Sequence, residues 1–180
     1  ARPGLRVPGC VDGDELALRA VIGQRASLRA ARRRTARLVE TFGKALEQPR
    51  GTVTHLFPAA AVLAEADPKA LARLGLRRDA LQSLAARLAN GEVRIDAGSD
   101  PREALTRLLA IRGIGPWTAA YVAMRGFHDP DAFPHGDAGV SRALKALGHR
   151  DDPGSVAALQ QRWRPWRAYA ALQLWTSLDH

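Results

Sequence analysis

The chain has 180 residues, 46% of them hydrophobic, enough for one domain with a good core or for two small lobes. Its 27 basic residues outnumber 18 acidic ones, and the formal charge of +9 with an isoelectric point near 11.0 points to a polyanionic partner. It contains no apolar run long enough to span a bilayer, and its single cysteine excludes a disulfide framework, a zinc knuckle and an iron–sulfur cluster.

At the start, Cys10 follows Pro8-Gly9 and reads as a small buried hydrophobe in a reducing, cytoplasmic setting. No signal peptide is visible. The chain opens at Ala1 and its one methionine is Met124, so the intact protein is expected to begin upstream. Asp12 or Asp14 can cap a helix through Leu16, Leu18, Val21 and Ile22 that ends near Gly23-Gln24. Ser27 caps the next, with Leu28, Ala31, Ala36, Leu38 and Val39 expected inward and Arg29, Arg32, Arg33 and Arg37 outward, as far as Gly43. A loop with Thr52, Thr54 and Pro58 leads to short helices at about 58–66 and 68–74, and a further helix covers about 78–90, with Leu81, Leu84 and Leu88 inward. Asp100-Pro101 opens the next helix as N-cap and first turn. Its apolar stripe of Leu105, Leu108, Leu109 and Ile111 stops at Gly113-Ile114-Gly115, and Pro116 starts a new helix. A loop rich in Asp, Pro and Gly follows at about 127–136, then helices at about 137–147, 153–163 and 165–177. No strand pattern competes. The expectation is an all-α fold of nine or ten short helices in two packed lobes with a cleft between them.

The helical hairpin at about 105–126 carries chemistry of its own. Its glycines permit positive φ and close backbone approach, and the amides at the start of the second helix can bind a phosphate without a charged side chain. The plainer reading of such a hairpin is a structural connection. Asp137 stands 22 residues beyond Gly115, after Gly136, at the mouth of a predicted helix. Position alone leaves it balanced between a plain N-cap and a carboxylate reaching into a cleft. His128, Asp129, Asp131, His135 and Asp137 crowd one stretch and raise the question of a metal site. Pro130 and Pro134 break that stretch, helical ligand spacing is missing, and it reads as a solvated loop.

The run from Leu109 to Trp117, Leu-Ala-Ile-Arg-Gly-Ile-Gly-Pro-Trp, with Asp137 downstream, resembles the helix-hairpin-helix DNA glycosylase superfamily. Three more stretches narrow the resemblance to the AlkA-type 3-methyladenine DNA glycosylases. They are Arg2-Pro3-Gly4-Leu5-Arg6 through Cys10, Ala20-Val21-Ile22-Gly23-Gln24, and Arg162-Trp163-Arg164-Pro165-Trp166-Arg167-Ala168-Tyr169-Ala170. The match runs from residue 2 to about 178. The family's N-terminal β-domain is absent, and another module upstream could replace it.

The resemblance implies a monomeric, monofunctional glycosylase of base excision repair, bacterial and nucleoid-associated. It would flip alkylated purines such as 3-methyladenine and 7-methylguanine out of double-stranded DNA and hydrolyse their N-glycosidic bond. Asp137 matches the catalytic aspartate, which faces a sugar cation in the transition state. Trp117 and Trp175, with Tyr121 one turn after Trp117, match the aromatic walls of the base pocket, whose faces suit a cationic base. Gly113, Ile114, Gly115 and Thr118 match the DNA-gripping hairpin. Gln24-Arg25 falls where the family plugs the gap left by the flipped nucleotide, with Arg25 in place of an apolar wedge such as leucine. Main-chain carbonyls of Leu109, Ile111 and Gly113 would hold a monovalent cation, Na⁺ or K⁺, and no other cofactor is required. Trp163 and Trp166 are assigned to the core. Relatives that also cut the strand carry a lysine at the position of Trp117, to form a Schiff base; here no lysine lies between Lys69 and Lys145. The competing readings are a non-catalytic DNA-gripping module and a bifunctional glycosylase/lyase.

Overall fold

A computed structural model describes residues 3–76 and 78–178; Arg2 lies outside the described residues. Ten helices and one two-stranded sheet are present among them. In chain order they are α1 (Gly13–Gly23), α2 (Leu28–Phe42), β1 (Ala45–Arg50), β2 (Val53–His55), α3 (Ala60–Ala64), α4 (Pro68–Arg73), α5 (Arg78–Ala89), α6 (Pro101–Leu109), α7 (Pro116–Gly126), α8 (Ala138–Ala146), α9 (Pro153–Arg162) and α10 (Arg167–Thr176). None of these helices is long and apolar enough to cross a membrane.

The helix starts follow the side chains that precede them. Asp12, Ser27, Asp67, Asp100, Asp137 and Asp152 each accept a hydrogen bond from a first-turn amide, at 2.8–3.2 Å. Each such cap contributes roughly 1 kcal/mol. Proline occupies the first turn of α4, α6, α7 and α9, where its missing N–H costs nothing.

Several local expectations are corrected. The stretch read as a loop before Pro58 holds the antiparallel pair β1–β2, with Ala45 opposite His55 and Arg50 opposite Val53. Its residues are mostly exposed, it contains Pro49, and its register is irregular, so it carries no alternating apolar signal. On α2 the buried residues are Thr35 and Leu38, whereas Leu28 and Ala36 face water. Leu28 sits in the first turn, beyond the end of the neighbouring core. Leu109 is 48% exposed, since the helix ends there and the chain turns Ile111 inward instead. Trp166 is 58% exposed, edge-on to Tyr169. Pro165 breaks the helical run, so Trp166 leaves the face on which Trp163 packs against Phe133. Cys10 is half-buried, and that burial pushes its thiol up.

Two cores form. The larger gathers residues from α1 through α7, including Leu18, Leu63, Leu84, Leu108 and Val122. The smaller joins Phe133 to α8 and α10 through Val140, Leu144, Ala171 and Leu174. A third cluster, Ala123, Met124, Ala132 and Ala168, fastens α7 to the start of α10, with Tyr121 and Trp175 packed on it. The two lobes therefore meet along α7 and α10.

Three carboxyls, Asp96, Asp131 and Asp152, sit below their ordinary range. The backbone amide and hydroxyl of Ser155, with Arg150 beside them, pull Asp152 from 3.8 to about 2. The Arg167 guanidinium pulls Asp131 down as well. A depressed pKa means the unfolded chain takes up the proton first, so this stability is present above pH 3.8 and drains as pH falls toward about 2. Asp14, raised by burial and by Asp12 and Asp96, works in the opposite sense. Urea-unfolding midpoints measured across that window should fall with pH, and Asp152→Asn should flatten the decline.

Candidate active site

Residues 110–115 make the turn between α6 and α7. Gly113 takes φ of 94°, a left-handed conformation that favours glycine. Gly115 does not, for its φ of −114° and ψ of −179° are extended. Its role must lie in the missing side chain, and a Cβ there would meet no protein atom within 4 Å. No side chain caps α7, so its first amides, after Pro116, are left for another acceptor. Ile114 is buried and donates its amide to the Ile111 carbonyl at 3.0 Å, so it offers no donor to a ligand. That bond takes one of the two acceptor sites on the Ile111 oxygen. Thr118 is also buried, and its hydroxyl accepts from Gln24 Nε2 at 2.8 Å, so the side chain ties α7 to the α1–α2 turn rather than facing outward. Arg25, next in that turn, is exposed and holds φ of 53°, a sparsely populated conformation for a residue with a Cβ.

Asp137 is the N-cap of α8 and much more. Its Oδ1 accepts from the Val140 amide at 2.9 Å and from the Trp175 indole Nε1 at 2.8 Å. Its Oδ2 accepts from the Trp117 indole Nε1 at 2.9 Å. Thus the cap is only part of its bonding: one oxygen serves the helix and Trp175 while the other takes the Trp117 indole. An ionised carboxylate offers about four acceptor sites, so one stays open, on Oδ2. Among the described residues Asp137 forms no ion pair, and its charge is held by neutral donors alone.

The three aromatic residues come together around this carboxylate. Trp117 and Tyr121 stack at 5.4 Å with planes 10° apart, and Tyr121 lies 6.5 Å from Trp175 with planes tilted by 52°. Arg125 continues the row along α7, donating to the Tyr121 hydroxyl at 3.2 Å. Two contributors escaped sequence reasoning. Gly139 leaves room for the contact, since a Cβ there would lie 2.9 Å from Asp137 Oδ1 and 3.0 Å from Trp175 Cδ1. Asp131, considered above only as a metal ligand, instead holds Arg167 at 2.7 and 2.8 Å. Neither has a signal in spacing, because Trp175 and Arg167, for which they matter, lie far along the chain.

A cavity of about 630 Å³ lies elsewhere, walled by Cys10, Asp12, Asp14, Ile95, Asp96 and His128. Its three carboxylates oppose any polyanion, and Asp137 is not part of it.

The sequence profile of the HhH-GPD superfamily of base excision DNA repair proteins matches residues 18–168. Over 178 residues the chain is 44% identical to the probable bifunctional transcriptional activator/DNA repair enzyme AlkA of Mycobacterium tuberculosis, covering 99% of this chain and 36% of that protein. Identity to the DNA-3-methyladenine glycosylase 2 of Escherichia coli is 37%, covering 97% of this chain and 61% of that protein. The chain therefore spans less than two thirds of either relative. In fold it is similar to a Clostridium acetobutylicum 8-oxoguanine glycosylase/lyase solved with double-stranded DNA, with a TM-score of 0.78 at 22% identity over 96% of this chain and 61% of that one.

The indole donors can be separated from the indole rings. Trp175→Phe keeps an aromatic face and removes one N–H from Oδ1, whereas Gly139→Ala improves helix propensity and pushes the indole aside. Both variants should keep their helical circular dichroism, and in both the Trp175 contact to Asp137 should be lost from the crystal structure. An unmoved Trp175 in Gly139→Ala would show that the contact is not set by that glycine.

Proposed function

Because the chain belongs to the HhH-GPD superfamily of base excision DNA repair proteins, we propose that it is a monofunctional DNA glycosylase removing alkylated purines from duplex DNA. The observation that carries this reading is the Asp137 carboxylate, fixed by three N–H donors, free of any cationic partner among the described residues, and walled by Trp117, Tyr121 and Trp175. The relatives named for DNA-3-methyladenine glycosylase activity support it.

Cleavage of the N-glycosidic bond moves positive charge onto the sugar C1′, and a fixed carboxylate stabilises that charge as it develops. The open acceptor site on Oδ2 is the atom assigned to that task and to orienting the attacking water. Neutral indole donors hold the carboxylate without cancelling its charge. The aromatic faces attract a cationic base, which leaves as a neutral one. The reaction stops at an abasic site, since Trp117 stands where a strand-cutting relative has lysine. Lys145, on α8, is paired with Asp151 at 3.1 Å.

For DNA binding, the uncapped amides of α7 and the exposed Arg29, Arg33 and Arg37 of α2 are assigned to phosphates, and Arg25 to the gap left by the flipped nucleotide. The carbonyls of Leu109, Ile111 and Gly113, oxygen donors suited to a hard cation, would hold Na⁺ or K⁺ against a phosphate. Affinity for duplex should fall steeply with salt. Gly115→Ala fits the protein without contact or strain, so its expected effect is weaker duplex binding at unchanged thermal stability. Loss of stability with normal binding would reverse that assignment.

Asp137→Asn is the decisive variant. Asparagine still caps α8, but its amide nitrogen faces the Trp117 N–H and cannot accept from it, so a cost of about 1–3 kcal/mol is expected. The folded variant should bind duplex carrying an abasic-site analogue and release methylated purines roughly 10³-fold more slowly or worse. Active protein should leave an intact strand that breaks only in alkali. Near-normal base release by the variant would refute the role assigned to Asp137, whereas no base release by the unaltered protein would leave a DNA-gripping module as the better reading.

A further inference from the structure

The loop ahead of α8 is tied to α10 at both ends. At one end Arg167, the first residue of α10, meets Asp131 with Nε to Oδ1 at 2.7 Å and Nη2 to Oδ2 at 2.8 Å. The amide of Ala168 donates to the Pro130 carbonyl at 2.9 Å beside it. At the other end, about two turns along the helix, Trp175 donates to Asp137. The Arg167 and Asp131 side chains are only 17% and 20% exposed, so their paired contact is sheltered from water. Arg164 stands 3.2 Å from the same carboxylate.

We propose that Asp131 and Arg167 are positioning residues for Asp137: their two-pronged ion pair sets the register of α10 and so delivers the Trp175 indole N–H to Oδ1. The inference rests on the proposed role of Asp137. A helix is a stiff rod rising about 1.5 Å per residue, so a slide or twist at Arg167 reaches Trp175 about 12 Å away almost undiminished. A hydrogen bond weakens steeply when its partners shift or misalign, leaving little slack at that end. The bulky contacts of α10, Leu174 with the half-buried Trp175 and Leu178 just beyond, are gathered at its far end. Two of the three buried residues of α10, Ala168 and Ala171, are smooth methyl contacts that can slide. Nor does a side-chain cap fix the start of the helix, since Trp166 makes none. The Asp131 carboxylate, close to that start, also meets the positive end of the helix dipole. The alternative is an ion pair that only stabilises the fold.

The test uses Arg167→Lys, Arg167→Gln and Asp131→Asn, with three readouts. The first is the ¹⁵N–¹H indole resonance of Trp175, assigned by its disappearance in Trp175→Phe. The second is single-turnover release of 3-methyladenine from methylated duplex, alongside affinity for that duplex. The third is the melting temperature. The Trp175 resonance should move in every variant. Release should slow about tenfold to a hundredfold, with duplex affinity within about twofold. Asp131→Asn with Arg167→Gln together should be no slower than the slower single variant, since one contact is lost in each case. A lowered melting temperature with an unmoved Trp175 resonance and unchanged release in the folded state would overturn the proposal. Should Arg167→Gln fail to fold, Arg167→Lys keeps the charge and loses only the second prong. Normal base release by Asp137→Asn would instead defeat the role of Asp137, while the resonance would still report whether the ion pair sets the helix.

Discussion

A carboxylate can be fixed in a cleft by a cation or by neutral donors, and the choice decides what its charge can do. A guanidinium would grip it firmly and cancel most of its field a few ångströms away. Asp137 is gripped by an amide from α8 and by indoles from α7 and α10, none of which carries a net charge. Its position is therefore determined by three elements at once while its charge stays uncancelled, which on the proposed reading leaves it available to a sugar that turns cationic. Any change that moves one of the three helices relative to the others loosens that hold.

The packing follows from this constraint. α7 belongs to the larger core and α8 with α10 to the smaller, so the carboxylate is assembled across the junction of the lobes. Three of the four buried residues in the cluster that joins them, Ala123, Ala132 and Ala168, are small, with Met124 the fourth. Small residues allow close approach but little interlocking, and polar contacts supply the missing register. The Arg167 pair with Asp131 is such a contact, while the Gln24 bond to Thr118 ties α7 to the α1–α2 turn within the larger lobe.

What was legible in the sequence is what acts locally. The caps at Asp12, Ser27, Asp100 and Asp137 were readable because a cap and its amide are three residues apart or fewer. The hairpin was readable because Gly113 and Pro116 each have a narrow backbone use. The roles proposed for the aromatics rest on resemblance, and nothing in their spacing announces that two indoles share one carboxylate across 20 and 38 residues. Four tryptophans look alike in a sequence, and the fates of Trp166 and Trp175 were separated only by a proline and a helix turn. The β1–β2 pair was missed because neither strand buries a face. Asp131 reads as a candidate ligand because a partner 36 residues on gives no local signal.

Charge is segregated in a way that links binding to chemistry. The carboxylates Asp12, Asp14 and Asp96 surround the cavity remote from Asp137, where a polyanion would be repelled. The arginines of α2 begin directly after the turn that holds Gln24 and Arg25, and Gln24 is bonded to Thr118, the neighbour of Trp117. On the proposed reading, phosphates held by α2 and by the first amides of α7 thus pull on the same rigid frame that presents the Trp117 indole to Asp137. Energy gained from an undamaged backbone is then expressed as geometry at the carboxylate, which is how contacts far from a reacting bond come to accelerate it.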